Sequence, residues 1–503
     1  MKNMRHFFIA LFCWLSLSAT AAVDPALVRQ LAAEESDDKI AAIQAIAATA
    51  DPEAAKVLQS LADGTLTAPD GGEIMINNRI RAELANALAG LKLFDADPAV
   101  RLAAAQELQS NVGLELAPLL ARALEKESDA GIRALLVAAH AQASLASPDA
   151  AARLAAVKAL GAAPSRNARN LLLPLTTAAG EPDAQVRAAA KQSLKAVEAT
   201  LAVGENLGRV FTGLSLGSIL LLAALGLAIT YGVMGVINMA HGELLMIGAY
   251  ATYAVQGLFR SYLPDYVDAY VLAAIPAAFF AAAAVGILLE RTVIRHLYGR
   301  PLETLLATWG LSLILIQAAR VLFGAQNVEL ANPAWMSGGI ELMAGLVLPW
   351  NRIVIIGFSL AVLLLVWLLM NRTRLGMFVR AVTQNRPMAG CVGVPTARID
   401  TLAFGLGAGI AGLGGVALSQ IANVGPDMGQ GYIVDSFMVV VLGGVGQLAG
   451  AVWAALGLGV FTKFLEGWAG AVIAKIVVLV FIIVFIQKRP QGLFALKGRF
   501  VES

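Results

Sequence analysis

Two textures divide the chain. Up to about residue 200, apolar residues are interleaved with frequent charges, mostly Ala and Leu among Arg and Glu. Strand-like alternation is almost absent there, so amphipathic helices are predicted. From about 205 to 490 the apolar residues run together, in blocks at 210–230, 234–257, 269–289, 304–323, 353–370, 401–421, 434–464 and 471–487. Each block approaches the ~20 residues that a bilayer crossing needs. The expected fold class is all-α: a polytopic membrane helix bundle of about seven to eight spans behind an exported helical domain. The expected divisions are 1–22, 23–204 and 205–503.

Basic residues in the short loops set the orientation of such a bundle. Arg291, Arg295 and Arg300 mark one cytoplasmic loop, Arg372 to Arg398 a second, and Lys488, Arg489, Lys497 and Arg499 the C-terminal tail. With the first domain outside, the sixth block ends outside near Asn423, and the rest of the chain must cross an odd number of times. The block 434–464 is therefore expected to be re-entrant, because Leu442-Gly-Gly-Val-Gly446 breaks it. Val434–Leu442 would enter from outside, turn at Gly443, Gly444 and Gly446, and return over Gln447 to about Leu465. Broken helices at membrane depth are tolerated where protein or a cavity surrounds them.

The first residues have the form of a secretory signal peptide: Lys2 and Arg5, an apolar run from Phe7 to Leu17, and small residues at Ala19-Thr20-Ala21. Cys13 would leave with it, and Cys391 stands in a cytoplasmic loop, so no disulfide and no cysteine metal site is expected. In the next domain an aspartate is followed four positions later by arginine at Asp97/Arg101, Asp129/Arg133, Asp149/Arg153 and Asp183/Arg187. Aspartate at a helix start caps free N–H groups and suits the positive end of the dipole. The pattern resembles HEAT-like repeats, in which helix pairs stack to share a core. Residues 63–79, with Gly64, Pro69, Gly71 and Gly72, read as a loop between the first helices.

Composition sharpens the division. At 58% hydrophobic, 14% charged and a mean hydropathy of +0.71, the 503-residue chain is not soluble throughout. A net charge of +2 with no basic stripe outside the span-flanking loops argues against a nucleic-acid partner. No Gly-x4-Gly-Lys-Ser/Thr occurs, so P-loop ATP hydrolysis by this chain is excluded. No nucleophile–base motif or histidine-rich metal spacing stands out, and no cofactor is expected.

Two stretches carry candidate chemistry. Asn371 to Asp400 is rich in arginine yet also apolar on one side, through Met377, Phe378, Val379, Val382, Met388, Cys391, Val392 and Val394. Gly376, Pro387, Gly390, Gly393 and Pro395 break it into two short helices, and its apolar side needs a partner, another subunit being the natural one. The second stretch is 231–250, where Asn238, His241 and Glu243 stand where a span should be apolar. Such groups mark a pathway or a packed internal network. Thr308 inside the fourth block is a further pathway candidate, while Gln420, Asn423 and Asp435 are expected to flank the outer mouth. Lys475 is expected to snorkel outward. The glycines at 405, 407, 409, 412, 414 and 415 predict close helix packing.

The spacing Ala381, Asn385, Ala389, Gly393-Val394 resembles the ATPase-coupling loop of ABC-importer permeases of the branched-chain amino acid and urea family. Gly235-Val-Ile-Asn-Met-Ala-His-Gly-Glu-Leu244 is similar to that family's signature near its second helix. Thr308-Trp309 resembles its Ala-Thr-x-Gly run, and Arg489-Pro490-Gln-Gly-Leu-Phe494 its ending. The resemblance covers about 208–497 and implies a permease that pairs with a second homologous permease, ABC ATPase subunits and a periplasmic solute-binding protein. It implies alternating access driven through a coupling loop that includes Gly376, Arg380, Ala381, Asn385, Ala389, Gly393 and Val394. A signal peptide and helical exported domain ahead of such a permease look like the urea subunits, so urea is the expected substrate. A branched-chain amino acid is the alternative, and a passive channel the reading of another class.

Overall fold

The computed structural model describes residues 24–33, 35–49, 52–66, 74–109, 112–444 and 446–494; the expected signal peptide and residues 67–73 of the predicted 63–79 loop lie outside them. The chain divides into two compact units, Met1–Ala202 and Val203–Ser503.

In the first unit the described residues form α1 (Pro25–Gln30), α2 (Ser36–Ala48), α3 (Pro52–Ala62), α4 (Asn78–Lys92), α5 (Pro98–Glu107), α6 (Ala117–Lys126), α7 (Ala130–Ser144), α8 (Ala150–Ala162), α9 (Arg166–Leu172) and the start of α10 (Ala184–Met234). All four predicted aspartates are caps. Asp97 accepts from Ala99 N, Asp129 from Gly131 N and Ile132 N, Asp149 from Ala151 N, and Asp183 from Gln185 N and Val186 N. The arginine one turn on reaches back to carbonyls of its own loop: Arg101 to Asp95 O, Arg153 to Ser147 O, Arg187 to Glu181 O. Helices adjacent in sequence share a core, α2 and α3 on α4, then α6 on α7 and α7 on α8.

Two glutamates that the aspartate pattern does not include complete the scheme. Glu127 and Glu181 are buried, and each takes a two-pronged guanidinium from the preceding helix start, Arg101 and Arg153 respectively. Each also accepts N–H groups of its own loop. The Arg101 hydrogen bond is the main reason the Glu127 carboxyl sits at about 2, and Arg153 lowers Glu181 in the same way. A carboxyl whose folded pKa is depressed contributes stability above its unfolded pKa and loses it as pH falls toward the folded one. Protection of this unit's amides in the full chain, taken relative to the intrinsic exchange rate at each pH, is therefore expected to fall as pH drops from the ordinary 4.5 toward about 2. Arg101→Ala should be exchange-prone already at neutral pH and depend less on acid; equal pH dependence in both proteins would refute the linkage.

The second unit holds the rest of α10, then α11 (His241–Tyr262), α12 (Tyr270–Thr292), α13 (Pro301–Phe323), α14 (Trp350–Arg372), α15 (Arg374–Gln384), α16 (Arg386–Cys391), α17 (Thr396–Ser419), α18 (Met428–Gly443), α19 (Leu448–Ala469) and α20 (Ala471–Lys488). Seven helices among the described residues are long and apolar enough to cross a membrane: α10, α12, α13, α14, α17, α19 and α20. The chain is thus a multi-pass helical membrane protein. The expected span 234–257 departs from this set. The chain is non-helical from Gly235, which takes φ +66°, to Ala240, and α11, opening with His241 and Glu243, is not among the seven.

At the centre stands α17, with 89% of its apolar window buried against 22% for α13 and 17% for α20. It packs on α11 and α12 through its glycines. Gly248 and Gly412 meet backbone to backbone, and a Cβ added at Gly412 would lie 2.6 Å from Ala278 O. Absent side chains let three backbones approach so closely.

The glycine cluster closes a helix longer than the expected half-helix Val434–Leu442. The helix before it runs the full Met428–Gly443, and the turn packs against Gly232, near the end of α10, and against the tail beyond α20. Leu493 N donates to Leu442 O at 2.8 Å and Phe494 N to Gly443 O at 3.3 Å. The turn therefore lies at the end of the bundle where α10 and α20 stop. Gly444 (φ +99°) and Gly446 (φ +76°) provide backbone conformations for the turn and room for the tail. An antiparallel α18–α19 pair returns the chain to the same side, so the parity argument stands with either arrangement. The fold is not wholly α: β1 (Gly339–Met343) and β2 (Leu346–Pro349) form an antiparallel hairpin between α13 and α14. Gly345, at φ +82°, makes its turn, which the all-helical reading passed over.

Candidate pathway junction and coupling hairpin

The predicted polar residues of 231–250 converge on one helix junction. After α10 the chain doubles back, so that His241 lies beside Ala223, eleven residues before the end of that helix. The His241 Nε2–H donates to Ala223 O at 3.0 Å, which assigns the tautomer, since a carbonyl can only accept. Asn238 Oδ1 accepts from Ala240 N at 3.0 Å and shapes the turn into α11. Thr308 Oγ1 accepts from Met239 N at 3.1 Å, tying α13 to the same turn. One turn further along α13, Ser312 donates to Glu243 Oε1 at 2.7 Å. All five side chains are 3% exposed or less.

Thr308 and Glu243 thus join through α13, whereas His241 turns away from them toward α10, as two-residue spacing on a helix requires. Sequence reasoning missed Ser312. The signal was available: Thr304, Thr308 and Ser312 recur every four residues on a helix that is otherwise largely exposed and apolar. The N-terminus of α18 closes the junction. Gly242 and Gly429 touch through their backbones, and a Cβ at Gly429 would come within 2.6 Å of Glu243 Oε2. Asn238 Nδ2, His241 Nδ1 and Glu243 Oε2 have no hydrogen-bond partner. The junction thus combines unused donor and acceptor capacity with full burial. No group of His, Cys, Asp and Glu suited to a metal occurs among the described residues.

Of the residues expected at the outer mouth, Gln420 is buried and accepts from Tyr270 OH at 3.2 Å, while Asp435 lies within α18, 3.6 Å from Lys475. Lys475 is therefore paired as well as exposed.

The second candidate is the hairpin formed by α15 and α16. Thr373 caps α15 through Gly376 N at 3.3 Å, and Asn385 caps α16 through Met388 N at 3.0 Å. Gly376 lies against the end of α14 with no room for a side chain, and Arg380 donates to Met370 O beside it. Gly393 takes φ +87°, and Val394 N donates to Ala389 O at 3.0 Å, closing α16. The apolar side predicted for this stretch is divided. Val379, Val382 and Ala389 are buried in the chain's own core with Phe378, Ala381 and Val394 packed on it, while Met377 (52%), Met388 (60%) and Val392 (73%) stand exposed beside Cys391.

Sequence reasoning also missed the polar lock beneath the hairpin. The Arg386 guanidinium forms a two-pronged pair with Asp400 and lies 5.4 Å above the Tyr298 ring. Tyr298 OH donates to Glu290 Oε1 at 2.9 Å and Thr401 Oγ1 to Glu290 Oε2 at 2.7 Å, with Arg295 3.8 Å away. Glu290 and Asp400 are fully buried. Burial holds the Tyr298 phenol well above its ordinary pKa, so it remains a donor.

The profile of a family described as "branched-chain amino acid transport system / permease component" matches residues 209–486. Over 293 residues the chain is 31% identical to the high-affinity branched-chain amino acid transport system permease protein BraD of Pseudomonas aeruginosa, covering 57% of this chain and 95% of that one. It is 30% identical to the corresponding LivH protein of Salmonella typhimurium and 29% identical to that of Escherichia coli K12, each over 57% of this chain and 94% of the relative. No solved structure matches the chain.

Proposed function

The chain belongs to the branched-chain amino acid transport system permease family, a transport component and not an enzyme, and on that premise we propose that it is the membrane-spanning subunit of an ATP-driven importer of the inner membrane. The observation that carries this reading is the hairpin of α15 and α16: one side built into the bundle, the other presenting Met377, Met388 and Val392 outward. An ATPase subunit is the partner assigned to that face, with Gly376, Arg380, Ala381, Asn385, Ala389, Gly393 and Val394 shaping the coupling hairpin. A second permease subunit completes the membrane part, and a periplasmic solute-binding protein delivers the solute to the outer face. The first unit is placed in the periplasm as a HEAT-like helical stack, and the C-terminus in the cytoplasm.

The junction of Asn238, His241, Glu243 and Thr308 is assigned to the translocation pathway in its closed state. Its polar atoms are too buried to meet solute until α11 parts from α13 and α18. Alternating access supplies that motion: ATP binding draws the hairpins together and the bundle opens around the junction.

The names of the relatives favour a branched-chain amino acid as the solute. A second reading, urea, has its own observation: the family profile matches residues 209–486, whereas this chain carries a further unit, Met1–Ala202, ahead of them. Uptake of labelled leucine and of labelled urea, in source cells with and without the gene and with and without energy depletion, decides between them. Energy-dependent leucine uptake lost on deletion establishes the amino acid reading; the same result with urea establishes the other. Flux of either solute that survives energy depletion yet needs the gene makes the chain a channel and overturns the proposal.

A further inference from the structure

The lock beneath the hairpin does more than fasten a loop. Two fully buried carboxyl groups, Glu290 near the end of α12 and Asp400 in the second turn of α17, lie beneath the hairpin. The side chain that pairs with Asp400 comes from the hairpin, because Arg386 opens α16. Glu290 is held by Tyr298, Thr401 and, more loosely, Arg295. The Tyr298 ring under the Arg386 guanidinium links the two acids.

Asp400 is fully buried and Arg386 only partly so, and withdrawing the guanidinium would leave a buried carboxylate uncompensated, which is unfavourable. A shift of the hairpin that leaves Asp400 behind is therefore opposed. Displacement of the hairpin is passed to the N-terminal part of α17, the helix that α11 and α12 both pack on. Through Gly412 that helix touches Gly248 of α11, and through Gly415 it touches Leu245, which lies within one turn of Glu243.

We propose that Arg386 is the positioning residue that makes the hairpin and α17 move as one body, with Asp400 as its anchor and Tyr298, Glu290 and Thr401 as its bracing. The role in transport rests on the ATP-driven reading; the mechanical lock does not.

The test uses the full chain in its membrane with the exposed Cys391, which sits on the same short helix as Arg386, as the probe. With Cys13 replaced by serine, a spin label on Cys391 reports hairpin mobility without any ATPase. Arg386→Ala is expected to sharpen the spectrum, and Arg398→Ala, at an exposed arginine in the first turn of α17, to leave it unchanged. Arg386→Lys should fall between, and Tyr298→Phe should loosen the hairpin mildly. In the assembled transporter, Arg386→Ala should reduce solute uptake about tenfold at equal membrane abundance, within the range of mutations that weaken coupling. ATP hydrolysis should continue but no longer respond to solute. The charge swap Arg386→Asp with Asp400→Arg should recover part of both readouts. An unchanged label spectrum in Arg386→Ala overturns the lock, whatever uptake does. A mobile label with unaltered uptake overturns its role in coupling. If the swap does not reach the membrane, the Lys and Phe variants decide by the same spectrum.

Discussion

Met388→Glu together with Val392→Glu is expected to abolish energy-dependent uptake, while the protein still reaches the membrane in normal amount. Both side chains are exposed at 60% and 73%, so charge there costs the isolated fold almost nothing. The same charge buried at an interface with an ATPase would have no partner, and an unpaired buried charge weakens association by several kcal/mol. At ~1.4 kcal/mol per factor of ten, that is a loss of at least a hundredfold in assembly. Co-purification of the ATPase should fall with uptake. Val379→Glu, at a site 6% exposed in the chain's own core, is the contrast: it should lower membrane abundance first. If the exposed pair of changes leaves both ATPase recovery and uptake intact, the outward face of the hairpin is not the docking surface.

The second large effect falls on the glycine seam. Gly412→Val must displace the α12 backbone at Ala278 and the Ala282 methyl, and Gly248→Val must displace Gly412 itself. Overpacking typically costs ~1–3 kcal/mol when side chains can yield. Here the obstacles are largely main-chain atoms of helices fixed on both sides, so the cost exceeds that range and three helices lose their registry. Both variants are expected to be nearly absent from the membrane. Gly257→Val, where nothing lies within 4 Å of the added atom, should accumulate normally. Quantified immunoblots of the three variants check this; normal levels of Gly412→Val would mean that the α11–α12–α17 packing is not as close as described.

Much of the architecture was legible in the sequence because it follows from one-dimensional rules. Aspartate caps act over two or three residues, so all four were placed correctly from spacing alone. Apolar runs announced most of the crossing helices, and the two short helices between α14 and α17 followed from Gly376, Pro387 and Gly393. What escaped depends on partners distant in the chain. Glu290 reads as the end of a span until Thr401, 111 residues later, is folded against it. Ser312 is unremarkable until Glu243, 69 residues earlier, accepts its hydroxyl. The packing on the Leu442–Gly446 cluster escaped for the same reason, because the tail that covers its glycines lies some fifty residues away in sequence.

The polar opening of α11 has a consequence for biogenesis. This helix is not apolar enough to be counted among the crossing candidates, and the hydroxyl that meets its carboxyl arrives only with α13. As the chain emerges from the ribosome, α11 therefore reaches the insertion machinery before its polar partner exists. Partitioning into lipid alone would strand Asn238, His241 and Glu243 in hydrocarbon. The helix must instead linger in the lateral gate, or enter the bilayer held against α10, until α13 is made. Synthesis through α13, not the completion of each helix in turn, is then the step that commits this half of the bundle to the membrane.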